Sequence, residues 1–307
     1  MYDLVIVSMF KNESMILKEW IDHHLEVGVE HFYLIDNGST DNYMDVLRPY
    51  IESSKVTLVV DPYRTQTKGS DVLVFDAEKN EFAPRFYDRT HTQIVLPNKH
   101  YLKTIKRSAK WVMYIDQDEY IFSTRGPLKT ILRSVDDSVT NVFVPWQIFG
   151  SSGHAQQPDS IRKSFTLRIP FDQLRRRAIE HGNIRGHGKS ITRVAPLTML
   201  NIHQCDRTHY TTLTPDGVLL ENKKDMARWF ETYTPNPDTD LVLCNHYMTM
   251  SEQYFETFKG KRGSGVGDSL PGGPARYWEK NNEGATVLDT SILRARTELA
   301  DRMQDGE

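Results

Sequence analysis

Cysteine is scarce in this chain of 307 residues, since only Cys205 and Cys244 occur. No disulfide framework holds such a fold together, and a reducing compartment is the simpler expectation. Long hydrophobic runs are also missing, because the longest fall far short of the roughly 20 residues that cross a bilayer. No charged-then-apolar leader opens the chain. We therefore expect no transmembrane segment and a cytoplasmic location, with peripheral membrane association left open.

A strong net charge is absent as well. The formal charge of -3 gives no general attraction to nucleic acid or to anionic membranes. Basic residues do outnumber acidic ones between residues 162 and 193, either as a solvated face or as a rim for a phosphorylated or acidic ligand. Because this stretch lacks regular aromatic interleaving, we predict no nucleic-acid partner.

The first 120 residues alternate between apolar strands and helical patterns. The predicted elements, in chain order, are a strand at 2–10, a helix at 16–28 that Asn12 would cap, a strand at 31–35, a helix at 44–51, a strand at 55–60, a helix at 92–109 and a strand at 111–115. This alternation predicts an α/β fold with a mostly parallel sheet flanked by helices. Ligands gather at the carboxyl ends of such strands, where the polar clusters 36–41 and 116–119 both lie.

The second half of the chain has a different pattern. Beyond about residue 140 the alternation gives way to short strands and Gly/Pro-rich connections, with better helices only near 221–232, 251–259 and 290–303. Residues 260–273 contain six glycines, which suits either an exposed connection or a loop that closes over a substrate. We divide the chain at 1–140 and 141–307 but expect one continuous domain.

The strongest local signal is Asp116-Gln117-Asp118-Glu119, directly after an apolar strand. Three carboxylates in four residues repel one another unless a cation compensates. Hard oxygen ligands suit Mn²⁺ or Mg²⁺, ions that complete their shells with water and substrate phosphates. In an extended segment, Asp116 and Asp118 would project to the same side and reach one metal-diphosphate unit. The alternative is a structural turn.

Several segments together resemble glycosyltransferase family 92 and its relatives near family 2. The segments that carry the resemblance are Phe10 to Ser14, Leu17 to Ile21, His24, Gly28-Val29, Phe32 to Asp41, Trp111 to Tyr120, Trp146 with Phe149 to His154, Gly188 to Ser190, His203, and His246-Tyr247 with Ser251, Phe255 and Lys259 to Gly263. The likeness spans roughly residues 2 to 263, and it departs from the family's D-x-D-E-F pattern only in having Tyr120 for phenylalanine.

The resemblance implies a GT-A fold whose first half, 1–140, binds a nucleotide diphospho-sugar and whose mixed second half, 141–307, binds the acceptor. The activity implied is transfer of a hexosyl or pentosyl group from a UDP- or GDP-linked donor to a saccharide hydroxyl. Asp36 would then contact the nucleotide base or ribose, and Asn12 and Asn37 would line the same pocket. An Asx-turn that caps the next helix is the alternative for residues 36–41, and the expected role of Asp41.

By the same resemblance, Asp118 would be the direct metal ligand and Asp116 would reach the ribose, the sugar or a metal-bound water. His203 and His246 are the candidates for a third protein ligand. Lys189 would meet the diphosphate as a mobile point charge. Lys259 would add positive charge or be an ordinary solvated side chain. No residue is identified as the catalytic base, although Glu119 directly follows the two proposed aspartates.

Two other classes of function remain. A metal-dependent nucleotidyltransferase would also use paired carboxylates, but it normally has a glycine-rich loop near the first strand, and residues 8–12 contain no glycine. A Walker loop around Lys189 would need glycine where Asn183 stands. A non-catalytic module that binds glycans or nucleic acid is the other alternative.

Overall fold

The structure, a computed structural model, describes residues 1–63, 69–87, 91–180, 187–261 and 272–294. Asn183, most of the glycine-rich segment 260–273 and the end of the helix predicted at 290–303 lie outside these ranges. None of the described helices combines the length and apolar character that crossing a bilayer requires. Cys205 and Cys244 are both buried and free.

The first half follows the predicted alternation. Its elements are β1 (Tyr2–Phe10), α1 (Ser14–Glu26), β2 (His31–Asp36), α2 (Tyr43–Glu52), β3 (Val56–Val60), β4 (Ser70–Asp76), β5 (Glu81–Tyr87), α3 (Thr92–Ser108), β6 (Ala109–Tyr114), β7 (Glu119–Phe122) and α4 (Leu128–Arg133). Strands β3, β2, β1 and β6 lie side by side in that order and are all parallel. The antiparallel hairpin β4–β5 was not predicted.

The second half completes the sheet with strands of mixed direction. Its elements are β8 (Asn141–Phe149), α5 (Ile161–Ser164), β9 (Leu167–Arg168), α6 (Phe171–Glu180), β10 (Gly188–Arg193), β11 (Leu197–Met199), β12 (Asp206–Arg207), β13 (Thr212–Leu213), β14 (Leu219–Leu220), α7 (Lys223–Thr232), β15 (Leu243–Tyr247), α8 (Glu252–Tyr254), a π-helical turn (Phe255–Lys259), α9 (Pro274–Asn282) and β16 (Val287–Leu288). The predicted fold class, an α/β fold with a sheet flanked by helices and a mixed second half, is confirmed.

The sheet divides at β8. The first part of β8 pairs with β10, which lies antiparallel beside β6, and the last part pairs with β15. Strand β15 in turn pairs with β7. Residues 115–118 therefore connect the main sheet, through β6, to the branch formed by β7, β15 and β8.

One apolar core cluster joins the two halves of the chain. It contains Leu4 of β1 and Trp20 of α1 together with Val144 of β8 and Leu243 of β15. Trp20 also donates a hydrogen bond from Nε1 to the carbonyl of Glu119 at 2.9 Å. Helix α1 thus fixes the start of β7, next to the acidic motif.

The basic stretch at 162–193 is largely used inside the fold. Arg162 is 6% exposed and bridges Glu19 at 3.1 Å and Glu26 at 2.9 Å, both on α1. Arg168 pairs with Asp289 at 2.7 Å. For these two arginines, both readings of the stretch, a solvated face and a ligand rim, are wrong, because their charges pair with carboxylates of the fold itself.

Candidate functional site

The acidic motif forms a turn at the carboxyl end of β6. The amide of Glu119 donates to the carbonyl of Asp116 at 3.2 Å, which closes the turn. Gln117 donates from Nε2 to Ser8 Oγ at 2.6 Å, and Ser8 donates in turn to the carbonyl of Ile115. The prediction of an extended segment is wrong here, because this turn gives Asp116 and Asp118 different neighbours.

Asp116 belongs to a charge cluster with Lys189 and Glu119. The Lys189 ammonium lies 3.1 Å from Asp116 Oδ2 and 3.1 Å from Glu119 Oε2. Glu119 Oε2 also accepts a hydrogen bond from the Asp116 amide at 2.8 Å. The Glu119 side chain has no exposed surface, whereas 31% of the Asp116 side chain is exposed. Of the two carboxylates, Asp116 is the one that a ligand can reach.

Lys189 reaches this cluster because of the residue before it. A Cβ on Gly188 would lie 2.6 Å from the carbonyl oxygen of Val144 and 2.7 Å from the ring of Phe143, so β10 can approach β8 only with glycine there. Burial alone would lower the pKa of Lys189, but the carboxylates of Asp116 and Glu119 raise it above its ordinary value. Lys189 therefore carries its charge while only 1% exposed.

Asp118 points to a second set of residues. Its Oδ2 is bonded to the ammonium of Lys259, the last residue of the π-helical turn, and its Oδ1 lies 3.5 Å from Nε2 of His246. Burial opposes ionisation of Asp118, yet Lys259 and His246 outweigh it and hold the pKa of this carboxyl well below its usual range. Asp118 is thus a buried carboxylate anion, 7% exposed.

Four buried polar atoms around Asp118 have no hydrogen-bond partner within the described ranges. They are Asp118 Oδ1, Glu119 Oε1, His246 Nδ1 and Trp146 Nε1. The ring of Trp146 lies 4.6 Å from that of His246, and Glu119 Oε1 lies 3.9 Å from His246 Nδ1. Buried polar groups normally find partners, so several unsatisfied atoms in one place are typical of a site that binds a ligand or ion.

The donor set fits a divalent cation at Asp118 and His246. An oxygen and a nitrogen 3.5 Å apart are close to the separation of about 3 Å that two ligands of one ion have at bond lengths of about 2.1 Å. Among the described residues, no group of three or more His, Cys, Asp or Glu side chains is arranged to hold a metal. Substrate phosphates or water would have to supply the remaining ligands.

His203 also packs against Trp146. Its ring packs edge-on against the indole at 5.5 Å, and Nδ1 lies 3.3 Å from the carbonyl of Gly188. Burial lowers the pKa of His203 to about 4, and the charge of Lys189 acts in the same direction. No hydrogen bond or ion pair joins His203 to either aspartate within the part of the chain that the structure describes, so of the two candidate histidines only His246 contacts Asp118.

Asn12 and Asp36 lie at the carboxyl ends of β1 and β2. Asp36 Oδ1 accepts from the amide of Ser39 at 2.8 Å, which closes a local turn three residues long. Asn12 has a left-handed backbone with φ of 56°, and its Oδ1 accepts from the amide of Thr40 at 2.7 Å. Asn37 donates from Nδ2 to the carbonyls of residues 61 and 63, both at 2.9 Å. All three side chains hold the loop at this edge of the sheet.

The start of α1 differs from the prediction. Glu13, and not Asn12, precedes the helix, and its side chain makes no capping bond. Instead, Asp41 Oδ2 accepts from the amide of Ser14 at 2.8 Å. Asp41 therefore satisfies the first turn of α1 and not that of the following helix, α2, because the loop after β2 folds back over the end of β1.

Gln93 is a site residue that the sequence analysis missed. It lies in the first turn of α3, where Nε2 is 3.5 Å from Asp116 Oδ1. Tyr114 of β6 holds this turn in place by donating to the carbonyl of Gln93 at 2.7 Å. The only signal in the sequence was that the predicted helix at 92–109 begins close to the same edge of the sheet.

The chain is similar in sequence to known glycosyltransferases. A family model described as glycosyltransferase family 92 matches residues 6–258. A glycosyltransferase family 92 protein of Oryza sativa subsp. japonica is 26% identical over 175 residues, covering 55% of this chain and 25% of that protein. The galactan beta-1,4-galactosyltransferase GALS2 of Arabidopsis thaliana is 31% identical over 122 residues, covering 39% of this chain and 19% of that protein.

The chain covers only part of the length of the relatives that it matches. The matched segments span between 19% and 37% of the length of the curated relatives. Among solved structures, S. aureus TarS in complex with UDP is 16% identical with a TM-score of 0.35, covering 63% of this chain and 47% of that chain.

Proposed function

The chain belongs to glycosyltransferase family 92, and on that premise we propose that it transfers a sugar from a nucleotide diphospho-sugar to a hydroxyl group of a saccharide acceptor. The donor is UDP- or GDP-linked. Because one relative is named as a galactosyltransferase, a hexosyl group is favoured over a pentosyl group. We further propose that the protein works in the cytoplasm, where free cysteines such as Cys205 and Cys244 are the rule.

We propose that Asp118 and His246 hold a Mn²⁺ or Mg²⁺ ion. The observation that carries this proposal is the buried, unpartnered Oδ1 of Asp118, 3.5 Å from His246 Nε2 at the edge of the sheet where ligands gather. Such an ion offsets the negative charge that accumulates on the diphosphate when the sugar leaves. His203 supports this arrangement by packing on Trp146 and is the weaker candidate ligand.

The other residues take supporting roles in this proposal. Asp116, the more exposed carboxylate, accepts a hydrogen bond from the ribose, the sugar or a metal-bound water. Lys189 holds Asp116 in position and is the proposed diphosphate partner on this side of the turn. Asn12, Asp36 and Asn37 shape the pocket for the base and ribose, with Asp36 as the proposed direct contact.

Thermal unfolding with nucleotides tests the proposal. A ligand at 100 times its Kd stabilises the native state by about 2.7 kcal/mol, a shift of several degrees in Tm. We expect UDP or GDP to raise Tm more with Mn²⁺ than without it, and Asp118→Asn to remove the metal-dependent part. Asp71→Asn is the matched control, because Asp71 is an exposed carboxylate on the β4–β5 hairpin.

A screen for hydrolysis of nucleotide sugars then identifies the donor. Stabilisation by DNA but by neither nucleotide diphosphate would contradict the proposal and favour a binding module. Stabilisation by nucleoside triphosphates alone, with release of pyrophosphate, would favour a nucleotidyltransferase.

A further inference from the structure

Lys259 occupies the position next to the proposed metal ligand. Its ammonium is bonded to Asp118 Oδ2, and the side chains of Lys259 and Asp118 are only 12% and 9% exposed. The contact joins residues 141 positions apart in the chain. Lys259 ends the π-helical turn Phe255–Lys259. Helical turns of this kind are rare and frequently mark functional sites.

The ammonium and a divalent cation compete for the same carboxylate. A metal bound to Asp118 Oδ1 would lie within a few ångströms of the Lys259 charge, in a site where burial leaves little water to screen the repulsion. The backbone of Asp118 is held in the turn between β6 and β7, where its carbonyl accepts a hydrogen bond from the amide of Tyr247 at 2.8 Å. The lysine side chain can move, since a flexible four-carbon stem carries its charge.

We propose that Lys259 is a resident counter-ion that a metal-bound diphosphate displaces. In the ligand-free protein the ammonium neutralises Asp118 and weakens the binding of a divalent ion alone. When the ion arrives with a nucleotide diphosphate, the ammonium leaves Asp118 and bonds to the phosphate oxygens. This inference rests on the proposed function, and it makes binding of metal and nucleotide cooperative at that site.

The cooperativity has a signature that a merely structural lysine would not produce. For Lys259→Met, we expect Mn²⁺ alone to bind on the order of 10-fold more tightly, because a competing charge is gone. We expect UDP or GDP in the presence of saturating Mn²⁺ to bind on the order of 10-fold more weakly, because a charge-assisted bond is lost. Lys259→Arg, which keeps the charge, should stay near the wild type in the binding of Mn²⁺ alone.

Calorimetric titration and the electron paramagnetic resonance signal of free Mn²⁺ measure both affinities directly. Lys261→Met is the matched control, because Lys261 is exposed and only two residues further along. It should change neither affinity. Circular dichroism verifies that each variant is folded.

The outcomes separate this inference from the proposed function. If Asp118→Asn abolishes Mn²⁺ binding but Lys259→Met does not tighten it, the displacement is wrong and the metal site stands. If Lys259→Met weakens both affinities, the lysine only positions Asp118, and the displacement is again wrong. If Asp118→Asn leaves Mn²⁺ binding unchanged, the metal site itself is wrong and the inference fails with it.

Discussion

Replacing Lys189 by methionine removes the only described cation bonded to the buried Glu119. In the wild type, the ammonium lies 3.1 Å from both Glu119 and Asp116. Removing one partner of a buried ion pair typically lowers the free energy of unfolding by about 3–5 kcal/mol, because the remaining charge stays buried and uncompensated. Asp116 is partly exposed and can be rehydrated, so Glu119 should account for most of the loss in the free energy of unfolding.

Urea-induced unfolding followed by tryptophan fluorescence measures this loss. The double variant Lys189→Met with Glu119→Gln should recover part of the stability, since a neutral amide is cheaper to bury than a carboxylate. An exposed ion pair contributes at most about 1 kcal/mol to stability. If Lys189→Met alone lowers the free energy of unfolding by less than this amount, the reasoning is refuted.

The pH dependence of the single variant gives a second check. Burial raises the pKa of Glu119 above its ordinary value of 4.5, and loss of Lys189 removes the charge that lowers it. An acid whose pKa is higher in the folded state stabilises the fold at low pH and loses that contribution as pH rises. The deficit of Lys189→Met relative to the wild type should therefore be larger at pH 8 than at pH 5.

Two further predictions concern the scaffold of the site. Burial lowers the pKa of His24 from 6.5 to about 3, so its contribution is complete above pH 6.5 and is lost as pH falls, by about 2 kcal/mol at pH 5. Urea unfolding should show that the free energy of unfolding falls between pH 7 and pH 5, and His24→Gln should reduce this fall. A fall as large in His24→Gln as in the wild type would contradict the prediction. Gly188→Ala would place a Cβ 2.6 Å from the carbonyl of Val144 and should cost about 1–3 kcal/mol. Thermal unfolding measures this cost, and a variant as stable as the wild type would show that the two strands can move apart.

The first half of the fold was predictable because its signals are local. Strand β1 occurs with the predicted bounds, and β2, β3 and α3 lie within a residue of theirs, since apolar runs, turn residues and helical periodicity are read from neighbouring positions. The hairpin β4–β5 was missed because Pro84 interrupts a strand whose side chains are mostly exposed.

The site was predictable only in part, because only some of its features have a local signal in the sequence. The acidic motif could be found because it directly follows a buried strand. The contacts that decide its chemistry are distant in sequence, since Lys259 lies 141 residues from Asp118 and Lys189 lies 73 residues from Asp116. These contacts depend on the pairing of β7 with β15 and of β10 with β6, which no local pattern indicates.

A crystal structure with Mn²⁺ and UDP tests the central claim most directly. The account predicts an anomalous peak for manganese within about 2.0–2.3 Å of Asp118 Oδ1 and His246 Nε2, with the diphosphate on the same ion. It also predicts that Lys259 has left Asp118 for a phosphate oxygen. Manganese and UDP bound elsewhere, with Asp118 still bonded to Lys259, would contradict it.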